Sequence, residues 1–372
     1  MKTLLLIPSV VKTGLDDAVA ADLHPNMDYH ALAAGLRGGL DSQVDVLDYA
    51  AAERETSPAV RLARKVGGRD AALALMAFQR HKDYDAIFSN GENVAIPLAL
   101  LLRTVRRRPG HVAIGHRLST GKKRLFFTLF GAQRGLDTIF TYAQWQRDFA
   151  EDSLLIPAEN LELIPFHADD RFYRPLTQPV DSNQICAAGL EWRDYPTLIE
   201  AVGALPEIQV KLAAASPWSK HSDETQGRTL PPNVQARRYE YGELRDLYAQ
   251  SSFVVVPLRE TDFQAGVTTI LEAMAMGKAV IATRTTGQTD VIVDGENGLT
   301  VPPGDVEAWR EAITRLRSDA PLRARLGRNA RRWVEEHATL DLWVSRISEA
   351  LRQAAARGAS SREPLVSARA PR

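Results

Sequence analysis

The sequence predicts an α/β protein built from two successive doubly wound parallel sheets. Short apolar runs alternate with longer stretches of helical period, the pattern left by strands that helices cover on both faces. The alternation occurs twice along the chain. The length of 372 residues exceeds one ordinary core and suits two domains of roughly 170 residues, with a cleft between them.

In the first half the expected strands are Thr3–Ile7, Val44–Leu47, Ala86–Phe88, His111–Ile114, Thr138–Thr141 and Leu161–Ile164. In the second they are Gln184–Ala188, Gln209–Ala213, Val234–Ala236, Phe253–Val256, Ala279–Ala282 and Gly298–Val301. Between the two sets, His167 to Asn183 is rich in proline and polar residues and lacks period, which marks a linker. This places a first domain at 1–177 and a second at 178–338. A long helical pattern from Val306 to Ala356, broken near Thr339, closes the chain, and 339–356 is expected to be a C-terminal helix that packs on the first domain. Residues 357–372 have the composition of a disordered tail.

Composition narrows the function classes. Lys and Arg total 46 against 46 Asp and Glu, a formal net charge of +0, so no global field favours nucleic acid or an anionic surface. The single cysteine, Cys186, sits in an apolar run and suits a small core position in a reducing compartment. The N-terminal apolar run, Leu4–Ile7, is too short for a signal-peptide core, and no stretch approaches the roughly 20 apolar residues that span a bilayer. The expectation is a soluble, cytoplasmic protein. Asp22, His24 and Asp28 are spaced across Pro25 and read as a solvated loop rather than a metal site; no metal or cofactor is expected.

The most informative stretch lies between the strand Phe253–Val256 and the helix that Gly277 ends. The turn Arg259 to Thr269 contains Gly266, which lets the backbone approach a ligand. The amides of Val267, Thr268 and Thr269 then sit at a helix N-terminus, where unpaired N–H groups and the helix dipole favour a diphosphate. Glu272 follows one turn later and can accept two hydroxyl hydrogen bonds, as a ribose diol offers. Taken alone, these residues are equally a turn glycine, two capping threonines and a carboxylate balancing the dipole. Beyond them come a strand at Ala279–Ala282, the loop Gly287–Gly298 and a capped helix start at Val301-Pro-Pro-Gly-Asp305.

This order of elements resembles the donor-binding domain of glycosyltransferase family 4, retaining enzymes of the GT-B fold, most densely from Leu190 to about Leu342. The resemblance implies transfer of a sugar from a nucleoside-diphosphate donor to an acceptor hydroxyl, without a metal. In that family two glutamates seven residues apart bracket the turn, the first touching the sugar and the second the ribose. Glu272 matches the second, whereas Gln264 stands at the first. Glutamine hydrogen-bonds sugar hydroxyls but brings no charge to a developing oxocarbenium ion, and nearby Asp262 is a candidate to compensate.

The resemblance further implies that Arg193, which ends the loop after Ala187-Ala-Gly189, binds the diphosphate; a surface pairing with Glu191 or Asp194 is the alternative. Leu190 stands where the family usually adds a second arginine. Ser216 and Lys220 are candidate diphosphate or ribose contacts at a strand end, and Tyr239 a candidate platform for the base. In the first domain His116 matches a family histidine beside the sugar or acceptor. Gly14 is placed for the donor phosphates, and Glu92 for the acceptor. Lys122 to Phe130 joins three cations to an aromatic helical face; burial of Phe126, Leu129 and Phe130 inside the domain is preferred over peripheral membrane contact. Two other functions stay open: a nucleotide-sugar-binding protein with weak or no turnover, which Gln264 and Leu190 motivate, and a nucleotide-sugar epimerase on the same fold.

Overall fold

The computed structural model describes residues 1–38, 42–214 and 230–360. The first sheet has β1 (Lys2–Ile7), β2 (Gln43–Asp48), β3 (Ala86–Ser89), β4 (Gly110–Gly115), β5 (Thr138–Thr141) and β6 (Leu161–Leu163), in the order β2-β1-β3-β4-β5-β6. The second has β7 (Gln184–Ala188), β8 (Gln209–Ala213), β9 (Val234–Arg237), β10 (Val254–Val256), β11 (Val280–Thr283) and β12 (Leu299–Val301), ordered β12-β11-β10-β7-β8-β9. All neighbouring pairs are parallel. Every expected strand lies within one residue of its observed ends, because a parallel strand buried on both faces has to be apolar along its whole length. Cys186, in β7, is fully buried, and burial pushes its thiol up to about 12.

Strand order decides where a ligand can sit. In the second sheet the order reverses between β7 and β10, and in the first between β1 and β3. At such a switch point the two following connections leave on opposite faces and open a crevice at the strands' carboxyl ends. The connections after β7 and β10 are the Gly189–Arg193 loop and the turn ending at Gly266. Those after β1 and β3 start at Pro8 and Asn90.

The chain crosses between the domains twice, and the two crossings are bonded to each other. Ala168 N donates to Ala338 O at 3.0 Å and Leu340 N to Ala168 O at 2.9 Å. The last helix, Leu340–Ser360, then packs on β4, β3 and the helix Asp28–Arg37, burying Trp343, Ile347 and Leu351 among first-domain residues. Its approach is close enough that a Cβ on Gly110 would lie 2.4 Å from the Ala354 backbone. It runs to Ser360, four residues past the expected end, and residues 361–372 lie outside those described.

The helical stretch before it is broken twice rather than once, giving Val306–Ser318 and Ala320–His337 before the last helix. Asp319 makes the additional break. Its carboxylate caps Leu322 N at 2.8 Å, and Pro321 follows at the start of the new helix.

Candidate functional site

A cleft of about 1010 Å³ lies between the domains, lined by the loops that leave both switch points. Arg193 anchors its second-domain wall. Nε donates to Ala188 O at 2.8 Å, Nη1 to Glu191 O at 2.9 Å and Nη2 to Thr269 Oγ1 at 3.1 Å. The guanidinium has five N–H groups, so two remain for a ligand. The side chain is buried, and it makes no ion pair among the described residues, so the surface pairing with Glu191 or Asp194 does not form. Burial draws its pKa below the usual value, with the nearby Tyr195, Tyr248 and Glu272 opposing.

Two glycines make room for this side chain. Gly189, at φ +93, would place a Cβ 2.4 Å from Arg193 Nη2. Gly266, at φ +76, would place one 3.2 Å from Nη1 and 2.9 Å from Leu258 Cδ2. Gly266 also caps the helix Val267–Ala275, whose first intrahelical bond is Ile270 N to Gly266 O at 3.1 Å. The amides of Thr268 and Thr269 therefore precede the helical ladder, in the residues that meet the guanidinium through Thr269. Thr268 faces the cleft, while Thr269 Oγ1 is spent on Arg193 and Ala188 O.

Glu272 lies one turn into this helix. Its carboxylate accepts Tyr248 Oη at 3.0 Å, and Tyr173 faces it too. Burial pushes the carboxyl from 4.5 up to about 7, with Tyr248, Tyr173 and Arg193 only partly offsetting the shift. Gln264 also lines the cleft, is about nine-tenths buried, and has neither amide oxygen nor amide nitrogen hydrogen-bonded. A buried amide with both ends unmet costs stability; a hydroxylated ligand would satisfy it.

Asp262 does not support Gln264. It turns to the first domain, where Arg117 Nη2 lies 3.0 Å from Oδ1 and Ser119 Oγ donates to Oδ2 at 2.6 Å. Gln146 Nε2 reaches Asp262 O at 2.7 Å, and the Arg117 guanidinium stands 5.0 Å from the Phe263 ring and 5.6 Å from that of Trp192. Geometry favours this because the β4 loop closes directly over the turn. The expected compensation of charge is replaced by a clamp between domains.

On the opposite wall His116 is exposed to the cleft, its ring 5.5 Å from Tyr142. Glu92 is not part of the cleft lining, contrary to the acceptor contact expected of it. Its carboxylate accepts His116 N at 2.9 Å, Arg117 N at 3.3 Å and Lys123 Nζ at 2.5 Å. Burial alone would raise this carboxyl, but the charges of His116 and Lys123 outweigh it and hold it below its ordinary value. A helix-start carboxylate facing two loop amides is drawn to them, and so it shapes the loop that carries His116.

Gly14, at φ +74, does not line the cleft; Pro8, Ser9 and Lys12 of the same loop do. Tyr239 lines it with one face 3.7 Å from the Arg237 guanidinium. Ser216 and Lys220 lie outside the described residues.

Several cleft residues carried no local signal: Tyr248, Lys12 and Asn90; Asp28, expected in a solvated loop, lines the cleft instead. Asn90 Nδ2 donates to Asp28 Oδ2 at 3.0 Å, and both line the first-domain wall. Asp22 instead pairs with Arg174 at 2.7 Å and Arg245 at 2.9 Å, and the His24 ring packs on Tyr241. Among the described residues no three potential metal ligands come together.

The expected burial of the aromatic face at 121–130 does not occur. Only Phe127 of the helix Gly121–Thr128 enters the core; Phe126, Leu129 and Phe130 are exposed. Among the described residues no helix is long and apolar enough to cross a membrane.

Residues 184–319 match the family described as glycosyl transferases group 1. The chain is 31% identical over 153 residues to the lipopolysaccharide core biosynthesis glycosyltransferase LpsE of Rhizobium meliloti, covering 41% of this chain and 44% of that protein. It is 31% identical over 140 residues to the D-inositol 3-phosphate glycosyltransferase of Gordonia bronchialis, covering 37% and 29%. The matches thus span less than half of these curated relatives.

Among solved structures, Anabaena Alr3699/HepE in complex with UDP-glucose superposes with a TM-score of 0.70 at 17% identity, over 95% of this chain and 100% of that one. Sucrose-phosphate synthase from Thermosynechococcus elongatus gives 0.70 at 18%, over 96% and 99%. The chain has the GT-B fold these structures share.

Proposed function

With residues 184–319 taken as a group 1 glycosyltransferase domain, we propose that the protein moves a hexose from a nucleoside-diphosphate donor to an acceptor hydroxyl, with retention and without a metal. The observation that carries this reading is the Arg193 guanidinium. It lies between Gly189 and Gly266 with no ion-pair partner among the described residues, at the N-terminus of the helix that bears Glu272. Such a pocket is built for an anion that arrives with a diol beside it. The UDP-glucose held by the Anabaena protein is the first donor to try.

In this reading Arg193 and the Thr268 and Thr269 amides hold the diphosphate, Glu272 the ribose and Tyr239 the base, while Gln264 meets the sugar hydroxyls. As the anomeric carbon–phosphate oxygen bond breaks, negative charge grows on the leaving diphosphate, where the guanidinium and amides offset it. The acceptor oxygen forms the new bond on the same face and its proton passes to the leaving phosphate oxygen, so no second carboxylate is required. His116 borders the acceptor. The test is a thermal-shift panel of nucleoside-diphosphate sugars across bases, with product mass. A single preferred base and a sugar adduct support the reading, and no shift with any donor overturns it.

A second reading has its own observations: Gln264 carries no charge, and Leu190 leaves the loop one cation short. Both suit a protein that binds the donor and turns it over slowly or not at all. Slow hydrolysis of donor by the parent favours the transferase. Hydrolysis gained only in Gln264→Glu favours the binding protein.

A further inference from the structure

Trp192, in the loop after β7, holds a backbone conformation that bulky residues avoid. Its φ is +59, in the left-handed region where a side chain crowds the following carbonyl. Asp22 and Leu155 are the other non-glycine residues with positive φ among those described, and neither lines the cleft. Strain of this kind persists only where the surrounding structure enforces it. Here the loop is pinned on both sides: Trp192 O accepts Arg259 N at 3.0 Å, Asp194 N donates to Pro257 O at 3.1 Å, and the Arg193 side chain is committed to Ala188 O and Glu191 O.

The indole meets Phe263 edge to face, with ring centroids 5.8 Å apart and planes at 84°. Phe263 is fixed as firmly. Its backbone oxygen accepts Thr261 Oγ1 at 2.7 Å and Ala265 N at 2.7 Å, and a Cβ on Gly287 would stand 2.2 Å from Phe263 N. Both rings line the cleft, whereas Arg117, whose guanidinium lies against them, does not. The rings therefore stand between the clamp of Arg117 and Asp262 and the open space, next to Gln264. Both are half-buried, and Trp192 Nε1 has no hydrogen-bond partner among the described residues. The corner offers flat apolar surface and one N–H donor, with the amides of Gln264 and Gln146 in the same lining. A pyranose ring has the complementary chemistry, because its C–H groups make an apolar face and its hydroxyls form the rim. An acyl chain has no use for the N–H or for the polar edges of this corner.

We propose that Trp192 and Phe263 form a stacking platform for the acceptor, and that the acceptor is a saccharide that lays a pyranose ring on it. This deepens the transferase reading and rests on it. In that reading Gln264 takes the donor sugar, Tyr239 the base, and His116 borders the acceptor. Arg117 follows His116 in the chain and packs on both rings, so the platform belongs to the His116 side of the donor sugar. Stacking fixes the plane of the acceptor ring and leaves its hydroxyls free to reach the anomeric carbon. The strain held at Trp192 then serves the ligand.

The experiment follows nucleoside diphosphate release by the full chain from the nucleotide sugar it binds, with product mass. The acceptors offered are methyl hexopyranosides of glucose, galactose and mannose in both anomers, the open-chain hexitols sorbitol and mannitol, and 1-hexanol. At least one pyranoside should accelerate release by about tenfold or more, while the hexitols, which carry comparable hydroxyls without a ring face, stay within about twofold of water. Trp192→Leu keeps apolar bulk but loses the flat face and the N–H. It should raise KM for the pyranoside by about tenfold and lower kcat by less, and Trp192→Phe should restore most of the loss. A purely structural role would instead lower kcat and leave that ratio unmoved. Hexitols or 1-hexanol that accelerate release as well as the pyranosides overturn the proposal, and so does an unchanged KM in Trp192→Leu. Donor binding by the parent with no acceleration by any pyranoside overturns it too, whereas a parent that binds no donor removes the transferase reading and the proposal with it.

Discussion

Replacing Glu272 with glutamine should make the unliganded protein more stable at neutral pH and a poorer binder of nucleotide. Burial lifts the carboxyl from 4.5 to about 7. A group whose folded pKa is raised stabilises the fold fully only below its unfolded value, and that contribution is lost as pH rises through the folded value. A shift of this size is worth roughly 3 kcal/mol between pH 4.5 and 7. Glutamine keeps the shape and removes the titration.

Urea denaturation of parent and variant from pH 5 to pH 8 reads the difference directly, since all other titrating groups cancel. The variant should gain on the parent progressively across that window, by about 2 to 3 kcal/mol at the alkaline end. A constant difference would refute the reasoning, because it would mean that the carboxylate ionises in the fold without a desolvation penalty. Under the proposed function the stored cost has a use. A ribose diol donates to the ionised form, so ligand binding should release a proton near neutrality, and the variant should not show this release.

The other structural features lead to three further expectations. Gly266→Ala forces a side chain into φ +76 and against Leu258, Val256 and Arg193; a loss of about 2 kcal/mol in stability is expected by chemical denaturation, with nucleotide binding reduced. Asp262→Ala removes a partly exposed pair with Arg117 and the Ser119 bond, so it should cost less than about 1 kcal/mol yet open the domains, seen as a larger radius of gyration in small-angle scattering. Glu92→Gln leaves the partly buried Lys123 with its bond to Arg117 O but without its charged partner, a loss of about 1 to 2 kcal/mol in urea denaturation at neutral pH. Because the Glu92 pKa is depressed, the parent's advantage is present above pH 4.5 and disappears as pH falls through the folded pKa.

The twelve strands were legible because each is a short apolar run that no exposed element would tolerate. Gly266, Thr268 and Glu272 were legible together because they follow one another through one strand-to-helix connection, whereas Arg193 and Gln264 were singled out by the family resemblance; the fold brings all five to one cleft. Contacts decided across the fold were not legible. Nothing near Asp262 indicates that Arg117 and Ser119 lie opposite, and nothing near Glu92 indicates that it would turn to the amides of His116 and Arg117. Tyr248 meets Glu272 from a separate helix, 24 residues earlier in the chain. Helical period identified the apolar stripe at 125–130 but could not say whether the domain supplies a surface to cover it. The break at Asp319 is a different case, since an N-capping aspartate with a proline two residues later was present to be read.

The proposed function requires that the second-domain wall hold an anion at Arg193 and a diol at Glu272. Calorimetric titration of a panel of nucleoside diphosphates into the parent and Glu272→Gln at pH 8 tests both halves at once. One base should bind the parent, with the variant about tenfold or more weaker. Binding of no nucleoside diphosphate, or equal binding by parent and variant, would contradict it.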